Sequence, residues 1–223
     1  MGTVTAATLI NRAAYLLEDT GNVTWTRAEL LSWLNEAQSQ VVAFAPTSNV
    51  VRQNVSLVAG TLQSLPADTS VLLDITRNVE GPAVRMVSRE LLDAGPYDWY
   101  TATPSATVKN FVYDVDDNQK FSVFPPNTGA GSLVVAYAKI PSVITNESQT
   151  IEIKDDYQAA LLNYMMFRAY SKDTDYVGAD PNKAAGYYGG FKDALGGKAA
   201  AAAMVNIAQS LGPANPASQG SLK

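Results

Sequence analysis

The strongest hydrophobic pattern of the chain lies in residues 155–173 and predicts a central helix. One apolar face follows the three- and four-residue spacing of an α-helix. The residues of this face are Tyr157, Ala160, Leu161, Tyr164 and Met165. Four further apolar residues lie off that face: Leu162, Met166, Phe167 and Tyr170. Such a helix needs cover on two sides, and the second cover is either more of its own chain or a neighbouring copy. We expect Asp155 to cap its N-terminus.

Two helices are predicted before it, near the N-terminus, and they form a helical hairpin. Residues 5–18 carry an apolar stripe and end in a turn-forming segment. Thr26 is followed three residues later by Glu29, which is a capping-box pattern and begins a second helix at about residue 27. Pro46 ends that second helix because proline cannot continue a helix interior.

The middle of the chain has a pattern that is typical of strands. Alternating apolar and polar residues at positions 51–57 predict the first strand. Further strands are predicted at 62–65, 71–79, 84–88, 108–115, 119–124 and 132–139. Residues 89–94 predict one short helix among them. Because turn-forming residues separate the strands, we expect antiparallel hairpins.

A last helix is predicted over residues 181–211. It contains five glycines, each of which costs about 1 kcal/mol relative to alanine in a helix interior. These glycines are Gly186, Gly189, Gly190, Gly196 and Gly197. We therefore expect a bend or break near residues 190 and 196. Residues 212–223 are rich in Gly, Pro, Ser and Asn and predict a flexible tail.

Together these elements predict an α+β fold. The N-terminal helical hairpin (residues 1–46) and the C-terminal helices (residues 151–211) form one bundle. The β-rich region with its short helix (residues 47–150) is inserted between them, and residues 212–223 follow as the tail.

The composition excludes several classes of function. The net charge is −5, and the 16 Lys and Arg residues are scattered, so no basic patch is available to grip nucleic-acid phosphates. The chain has no Cys and no His, which excludes disulfides, zinc fingers, thiolate nucleophiles and imidazole catalysis. Neither a secretory signal nor an apolar run of roughly 18 residues is present, so we expect no membrane segment.

Two short motifs resemble ligand sites but lack required residues. The acidic turn at residues 114–118 resembles the start of an EF-hand loop, yet Gln119 and Pro125 stand where that loop requires Gly and Glu. Residues 196–198 resemble the end of a phosphate-binding loop, yet Ala199 stands where Ser or Thr is required. The sequence therefore predicts no metal and no cofactor.

Five stretches resemble, in their order and spacing, the bacteriophage head–tail connector adaptor proteins, including the tail tubular or gatekeeper type of short-tailed phages. The stretches are WTRAELLSWLNEAQSQVV (25–42), RELLDAGPYDW (89–99), FSVFPPNTGAGSLVVAYAKIP (121–141), DYQAALLNYMMFRAYSKDTDY (156–176) and GYYGGFKDALGGK (186–198). The resemblance implies a structural virion protein without catalytic residues, made in the host cytoplasm. It implies a ring, commonly of twelve copies, in the neck between the portal and a tail or nozzle protein, through which double-stranded DNA passes without specific binding.

The resemblance also implies roles for two groups of residues. C-terminal segments of such adaptors often attach to the portal, and the candidate portal-binding residues are Met204, Val205, Ile207, Leu211, Pro213 and Leu222. A ring needs lateral contacts, and the candidates are the off-face residues of the central helix: Leu162, Met166, Phe167 and Tyr170.

Two other classes of function remain open at the level of sequence. The aromatic residues Tyr97, Trp99 and Tyr100 could form a carbohydrate-binding platform in the β region, although such residues, like Tyr187 and Tyr188, more often belong to a core or an interface. A hydrolase would use the carboxylates of Asp114, Asp116 or Asp155, which would have to face each other across a cleft.

Overall fold

The computed structural model describes residues 2–95, 98–172 and 180–210, with their side chains except those of Val115 and residues 199–210. Within these residues the fold is α+β, as predicted. The helices are α1 (Ala6–Leu16), α2 (Arg27–Phe44), α3 (Arg89–Asp93), α4 (Gln158–Ser171) and α5 (Pro181–Ser210). The strands are β1 (Val50–Ser56), β2 (Ala59–Ser64), β3 (Thr69–Asn78), β4 (Arg85–Met86), β5 (Asn110–Tyr113), β6 (Lys120–Thr128) and β7 (Ser132–Lys139).

Helix α4 is the centre of a bundle in which it contacts α1, α2 and α5. The largest side chains of the bundle core are almost completely buried, which makes apolar burial its main source of stability. They include Leu9, Ile10, Leu30, Leu34, Leu161, Met165, Met166 and Phe191. The N-terminal hairpin and the C-terminal helices therefore share one core.

The N-terminal caps predicted for α2 and α4 have different outcomes. The capping box of α2 is confirmed, since the Thr26 hydroxyl accepts from the Glu29 amide and the Glu29 carboxylate accepts from the Thr26 amide. The predicted cap of α4 is wrong. Asp155 opens a single 3-10 turn, and its carboxylate accepts hydrogen bonds from the Thr3 amide (2.8 Å), the Thr3 hydroxyl (2.7 Å) and the Val4 amide (3.3 Å). Asp155 therefore fastens the N-terminal segment to the bundle.

Of the bend or break predicted near residues 190 and 196, the break is absent, because residues 181–210 form one helix, and the bend stays a prediction. The glycines weaken this helix locally, but Phe191 and Leu195 are buried in the bundle core and hold it against α4. Tertiary packing thus overrides the low helix propensity of glycine.

The β region consists of two sheets that share a second core. The strand orders are β1-β7-β3 and β2-β6-β5-β4, and all pairs are antiparallel except β4 with β5, which is parallel. The shared core includes Leu72, Ile75, Val84, Phe111, Phe121, Val123, Leu133, Val135 and Tyr137. The expectation of simple antiparallel hairpins is therefore wrong for most of the region, since consecutive strands pair antiparallel only at β5 and β6.

Two predicted strand limits are also wrong. Strand β6 continues through Pro125 and Pro126 to Thr128, although the predicted strand ended at residue 124. The predicted strand at residues 84–88 is reduced to the two residues of β4.

The two cores meet at the last strand and the segment that follows it. Ala138 of β7 is buried in the bundle core. The next residue, Lys139, forms a half-buried ion pair with Glu152 (3.0 Å), and the Glu152 amide donates to the buried side chain of Gln38 in α2. None of the helices in the described part of the chain combines the length and the apolar character that crossing a bilayer requires.

Candidate interaction surfaces

Helix α5 supplies the second cover of α4 through a row of aromatic pairs. Tyr164 meets Phe191 edge to face with ring centroids 5.3 Å apart, and Phe167 lies 5.0 Å from Tyr188. Tyr170 and Tyr187 stack with an interplanar angle of 5°, and their centroids are 5.6 Å apart. Such ring pairs stabilise the seam beyond the apolar area they bury. The chain itself therefore answers the need for cover that the sequence left open.

The four residues that were candidates for contact with a neighbouring copy lie at different depths. Met166 is completely buried within the chain, and Leu162 is 8% exposed. Phe167 and Tyr170 are half-buried against α5. Their contact with another copy remains a prediction, and only partly exposed edges are available for it in this structure.

A polar seam joins α4 to α2 on another side. The Tyr164 hydroxyl donates to the Glu36 carboxylate (2.7 Å), and the Arg168 guanidinium donates to the same oxygen (3.0 Å). Burial and the hydrogen bond with Glu36 raise the pKa of Tyr164 to about 12. This phenol therefore stays protonated and keeps donating across the ordinary pH range.

The loop between α1 and α2 is held by one carboxylate. Asp19 accepts hydrogen bonds from the amides of Val23, Thr24 and Trp25, each 2.9 Å long. Burial alone would raise the pKa of Asp19, but these three hydrogen bonds outweigh it and leave the pKa below its ordinary value. The loop is therefore closed by an interaction that requires an ionised carboxylate.

Two ion pairs tie distant parts of the chain to the start of α2. Lys172 at the end of α4 donates to the Glu29 carboxylate (2.7 Å) and to the Thr24 carbonyl (3.1 Å). Arg27 pairs with Glu147 in the segment that precedes α4. These hydrogen bonds are the main reason why the pKa values of Glu29 and Glu147 lie below their ordinary range.

An open groove of about 310 Å³ runs between α1 and α4. Two large side chains of α1, Tyr15 (75% exposed) and Leu16 (46% exposed), project beside it, and Leu162 of α4 forms part of its wall. Asn11 and Arg12 complete the lining. We call this feature the α1/α4 groove.

The outer face of α5 carries several glycines, in contrast to the large side chains at the α1/α4 groove. At Gly186, Gly189, Gly196 and Gly197, an added Cβ atom would have no non-local heavy atom of a described residue within 4 Å. Asp193 lies among these glycines by helical spacing, and its side chain is exposed. We call this surface the glycine face of α5. By contrast, a Cβ at Gly190 would come within 3.0 Å of the Asn163 amide, so Gly190 allows α5 to approach α4 closely.

A groove of about 880 Å³ in the β region does not resemble a carbohydrate platform. Trp99 is 4% exposed and its indole donates to the Asp93 carboxylate (2.8 Å), so its ring face is not free for a sugar. Tyr100 is exposed and lies on Trp99 with ring centroids 4.0 Å apart. Tyr97 lies outside the described residues. Of the three proposed platform residues, the structure therefore exposes Tyr100 and buries Trp99.

The carboxylates proposed for a hydrolase do not assemble into one site. Asp155 belongs to the bundle and is occupied by Thr3, whereas Asp114 and Asp116 lie in an exposed turn of the β region. In that turn the Asp114 carboxylate accepts from the Asp116 amide (3.1 Å), which is an ordinary turn interaction. In the described part of the chain, no three potential metal-binding side chains come together.

The candidate portal-binding residues lie at and beyond the end of α5. Met204, Val205 and Ile207 are in its final turns, where the structure describes the backbone only. Leu211, Pro213 and Leu222 lie outside the described residues. Their role remains a prediction.

Sequence analysis missed the α1/α4 groove, although a signal for it was present. The apolar stripe of α1 consists of Ile10, Ala13, Ala14 and Leu17, and the structure buries all four. Tyr15 and Leu16 lie off that stripe, which indicates large apolar side chains on the solvent side of the helix.

Comparison with protein families gives one match that covers almost the whole chain. Residues 4–216 match the model of the SU10 adaptor protein family. Comparison with curated proteins found no match. Because the family match spans far more than half of the 223 residues, it identifies the chain as a structural phage adaptor. The chain belongs to the SU10 adaptor protein family.

Proposed function

We propose that this protein forms the ring that joins the portal of a phage capsid to the tail, in the neck of the virion. Identical copies, twelve by the resemblance described above, surround a channel through which double-stranded DNA passes. The portal lies on one side of the ring and a tail or nozzle protein on the other. The observation that carries this proposal is the family match over residues 4–216.

The charge of the chain supports a channel through which DNA moves freely. Lys and Arg total 16 against 21 Asp and Glu. Several of the basic side chains are engaged within the fold, as Arg27, Lys139 and Arg168 are by carboxylates. Tight binding of the DNA backbone requires many free Lys and Arg contacts to phosphates. Such a surface allows DNA to slide past without being held.

The C-terminal segment is our candidate for the portal anchor. Met204, Val205, Ile207 and Leu211 are large apolar residues near the end of the chain. Burial of each such side chain in a portal groove contributes roughly 1.5–3 kcal/mol. Together the four contribute roughly 6–12 kcal/mol, which offsets part of the entropy lost when the segment becomes ordered on the portal.

The role in the neck is tested with phage particles that lack the protein. We expect heads that package DNA but do not attach tails and that lose their genome. The role is rejected if such particles still join capsid to tail and retain DNA. Supplying the full-length protein in trans is the control, and it should restore tailed particles.

The anchor is tested separately by deletion of residues 206–223. We expect purified portal to bind the truncated protein much more weakly than the full chain, as measured by co-sedimentation. The matched control is Val23→Ser, which changes an apolar residue that is 85% exposed in the loop between α1 and α2 and should leave attachment unchanged. Undiminished attachment of the truncated chain would exclude the anchor.

A further inference from the structure

The α1/α4 groove presents large apolar side chains to solvent. Tyr15 and Leu16 are 75% and 46% exposed, and they stand beside a groove whose wall includes Leu162. Their exposure is unnecessary for the bundle, because the opposite side of α1 already supplies its buried residues. Exposed apolar residues that cluster at a groove are typical of a contact site.

The packing of the described residues gives no reason for the glycine face of α5 either. Gly190 has a reason within the fold, because a larger residue there would collide with Asn163. Gly186, Gly189, Gly196 and Gly197 have none among the described residues, since a Cβ at each would meet no non-local heavy atom of that part of the chain within 4 Å. Alanine would favour the helix more at all four positions. These four glycines, of which Gly189 is half-buried and the others are exposed, therefore leave space for something from outside the chain.

The two surfaces lie on different sides of α4. Arg12 at the groove contacts α4 at Gln158, where its guanidinium donates to the amide oxygen (3.3 Å). Helix α5 contacts α4 at Asn163 and at Phe167, which lie on another face of that helix. A single copy therefore presents the groove and the glycine face in different directions, and the two surfaces can meet only between copies.

The charges of the two surfaces are complementary. Arg12 lines the groove and forms no ion pair with any described residue of the chain. Asp193 lies on the glycine face and also forms no ion pair among the described residues. One surface thus offers a large apolar ridge with a cation, and the other a flat, open face with an anion.

We propose that neighbouring copies join head to tail, with the α1/α4 groove of one copy seated on the glycine face of α5 in the next. Tyr15 and Leu16 pack over the backbone at Gly189 and its neighbours, and Arg12 pairs with Asp193. Because the two surfaces differ, each copy uses both, and the contact repeats around a closed ring. This inference rests on the proposed function, since it specifies the contact that builds the ring.

The absence of cysteine from the chain allows a direct test by cross-linking. The variant Tyr15→Cys/Gly189→Cys is assembled on purified portal and treated with a short thiol-specific cross-linker. We expect a ladder of covalent dimers and higher oligomers. The matched control is Val143→Cys/Gly189→Cys, because Val143 is 71% exposed in the segment after β7 and belongs to neither surface. The proposal is overturned if rings of the first variant assemble but yield no more covalent dimer than the control.

Charge exchange provides a second test that does not depend on cross-linker geometry. Arg12→Asp and Asp193→Arg each place like charges together and should weaken ring formation on the portal about tenfold or more. The double variant restores the pair with reversed polarity and should recover most of that loss. Exchange of Arg89 and Asp93, an exposed ion pair in the β region, is the control and should change nothing. The proposal is overturned if the single variants assemble as well as the unmodified chain.

The outcomes also separate this inference from the proposed function. If the unmodified protein forms rings on the portal and the variants do so equally well, the subunit contact lies elsewhere and the proposed function stands. If the unmodified protein does not assemble on the portal at all, the proposed function fails, and this inference fails with it.

Discussion

The helical bundle joins several of its distant segments through ion pairs, whereas the β region fastens two of its loops through buried neutral amides. In the bundle, ion pairs connect α2 to the end of α4 and to the segment before it, as with Lys172–Glu29 and Arg27–Glu147. In the β region, the side chains of Asn78 and Asn127 are almost fully buried and bind the backbone of neighbouring loops. The bundle should therefore respond to pH more strongly than the β region.

The reason lies in how deeply each polar group is buried. The ion pairs of the bundle keep part of their surface in water, where an ionised group retains its solvation. The amides of Asn78 and Asn127 are 5% and 1% exposed, a depth at which an uncharged group that forms all its hydrogen bonds costs much less than a charge. Four predictions, from the largest expected effect to the smallest, test this contrast.

The apolar cores of the two regions should be equally sensitive to cavities. Phe191→Ala removes a completely buried ring that contacts Phe44, Tyr164 and Tyr188, and should lower the free energy of unfolding by about 3–5 kcal/mol. Phe121→Ala in the β core should cost a similar amount, because that ring is 2% exposed. Urea unfolding measures both losses. A loss below about 1 kcal/mol for either variant would contradict the described packing.

Removal of a buried amide should weaken the β region nearly as much. The Asn78 side chain donates to the carbonyls of Pro82 (3.0 Å) and Val108 (2.8 Å) and accepts from the Val108 amide (2.9 Å). Asn78→Ala leaves the buried carbonyl and amide of Val108 without these partners, whereas the exposed Pro82 carbonyl keeps the Asn78 backbone amide. The change should cost about 2–4 kcal/mol in the free energy of unfolding. Asn118→Ala is the matched control, since Asn118 is exposed and donates only to the Ser70 carbonyl, and it should cost less than about 1 kcal/mol.

Acid should destabilise the bundle selectively. The pKa values of Asp19, Glu29 and Glu147 lie below their ordinary values in the folded chain. The unfolded chain therefore binds protons first as the pH falls. The stabilisation is complete above the ordinary carboxylate pKa values of 3.8 and 4.5, and it is lost as the pH falls through the lower folded values.

The three tryptophans allow this loss to be measured region by region. Trp25 and Trp33 are buried in the bundle core, and Trp99 belongs to the β region. In a Trp99→Phe variant, fluorescence reports the bundle alone. The urea concentration at the midpoint of unfolding should decrease as the pH is lowered from about 5 to about 3. Glu147→Gln should lower the midpoint at neutral pH and reduce its pH dependence. An unchanged pH profile in the Glu147→Gln variant would show that the Arg27 pair contributes nothing.

Glycine substitutions should give small effects of opposite sign in the two regions. Gly186→Ala on the open face of α5 should stabilise the isolated chain by about 1 kcal/mol, because alanine is the better helix former and meets no neighbour. Gly129→Ala after β6 should destabilise it by roughly 1 kcal/mol, because the φ of Gly129 is +89°, where a side chain is strained. Thermal unfolding measures both changes, and equal signs would contradict the described backbone.

The helices were largely predictable because their signals are local. The capping box at Thr26 and Glu29 marked the start of α2, and the apolar spacing marked α4. The partners of the strands were not predictable, because β7 pairs with both β1 and β3, which lie more than 50 residues away in the chain. A strand pattern indicates which face is buried, but it carries no information about which distant strand provides the hydrogen bonds.

For the candidate contact residues, too, the local pattern was predictable and the long-range contacts were not. The sequence indicated that α4 needs a second cover, but it could not choose between α5 and a neighbouring copy. That choice depends on whether α5 approaches α4, which Gly190 permits by leaving room for the Asn163 amide. Tyr15 and Leu16 were identifiable as apolar residues off the stripe of α1, but the groove beside them exists only because α1 and α4 pack together.

By itself, the sequence determined the α+β class, the positions of the helices and the absence of Cys and His chemistry, since residue type and periodicity act over a few neighbouring positions. The tertiary structure alone decided that α5 is one helix despite its glycines, that Asp155 holds Thr3 rather than capping α4, and which apolar residues remain exposed. Each of these outcomes depends on contacts between residues far apart in the chain, whose free energies compete with local preference and exceed it.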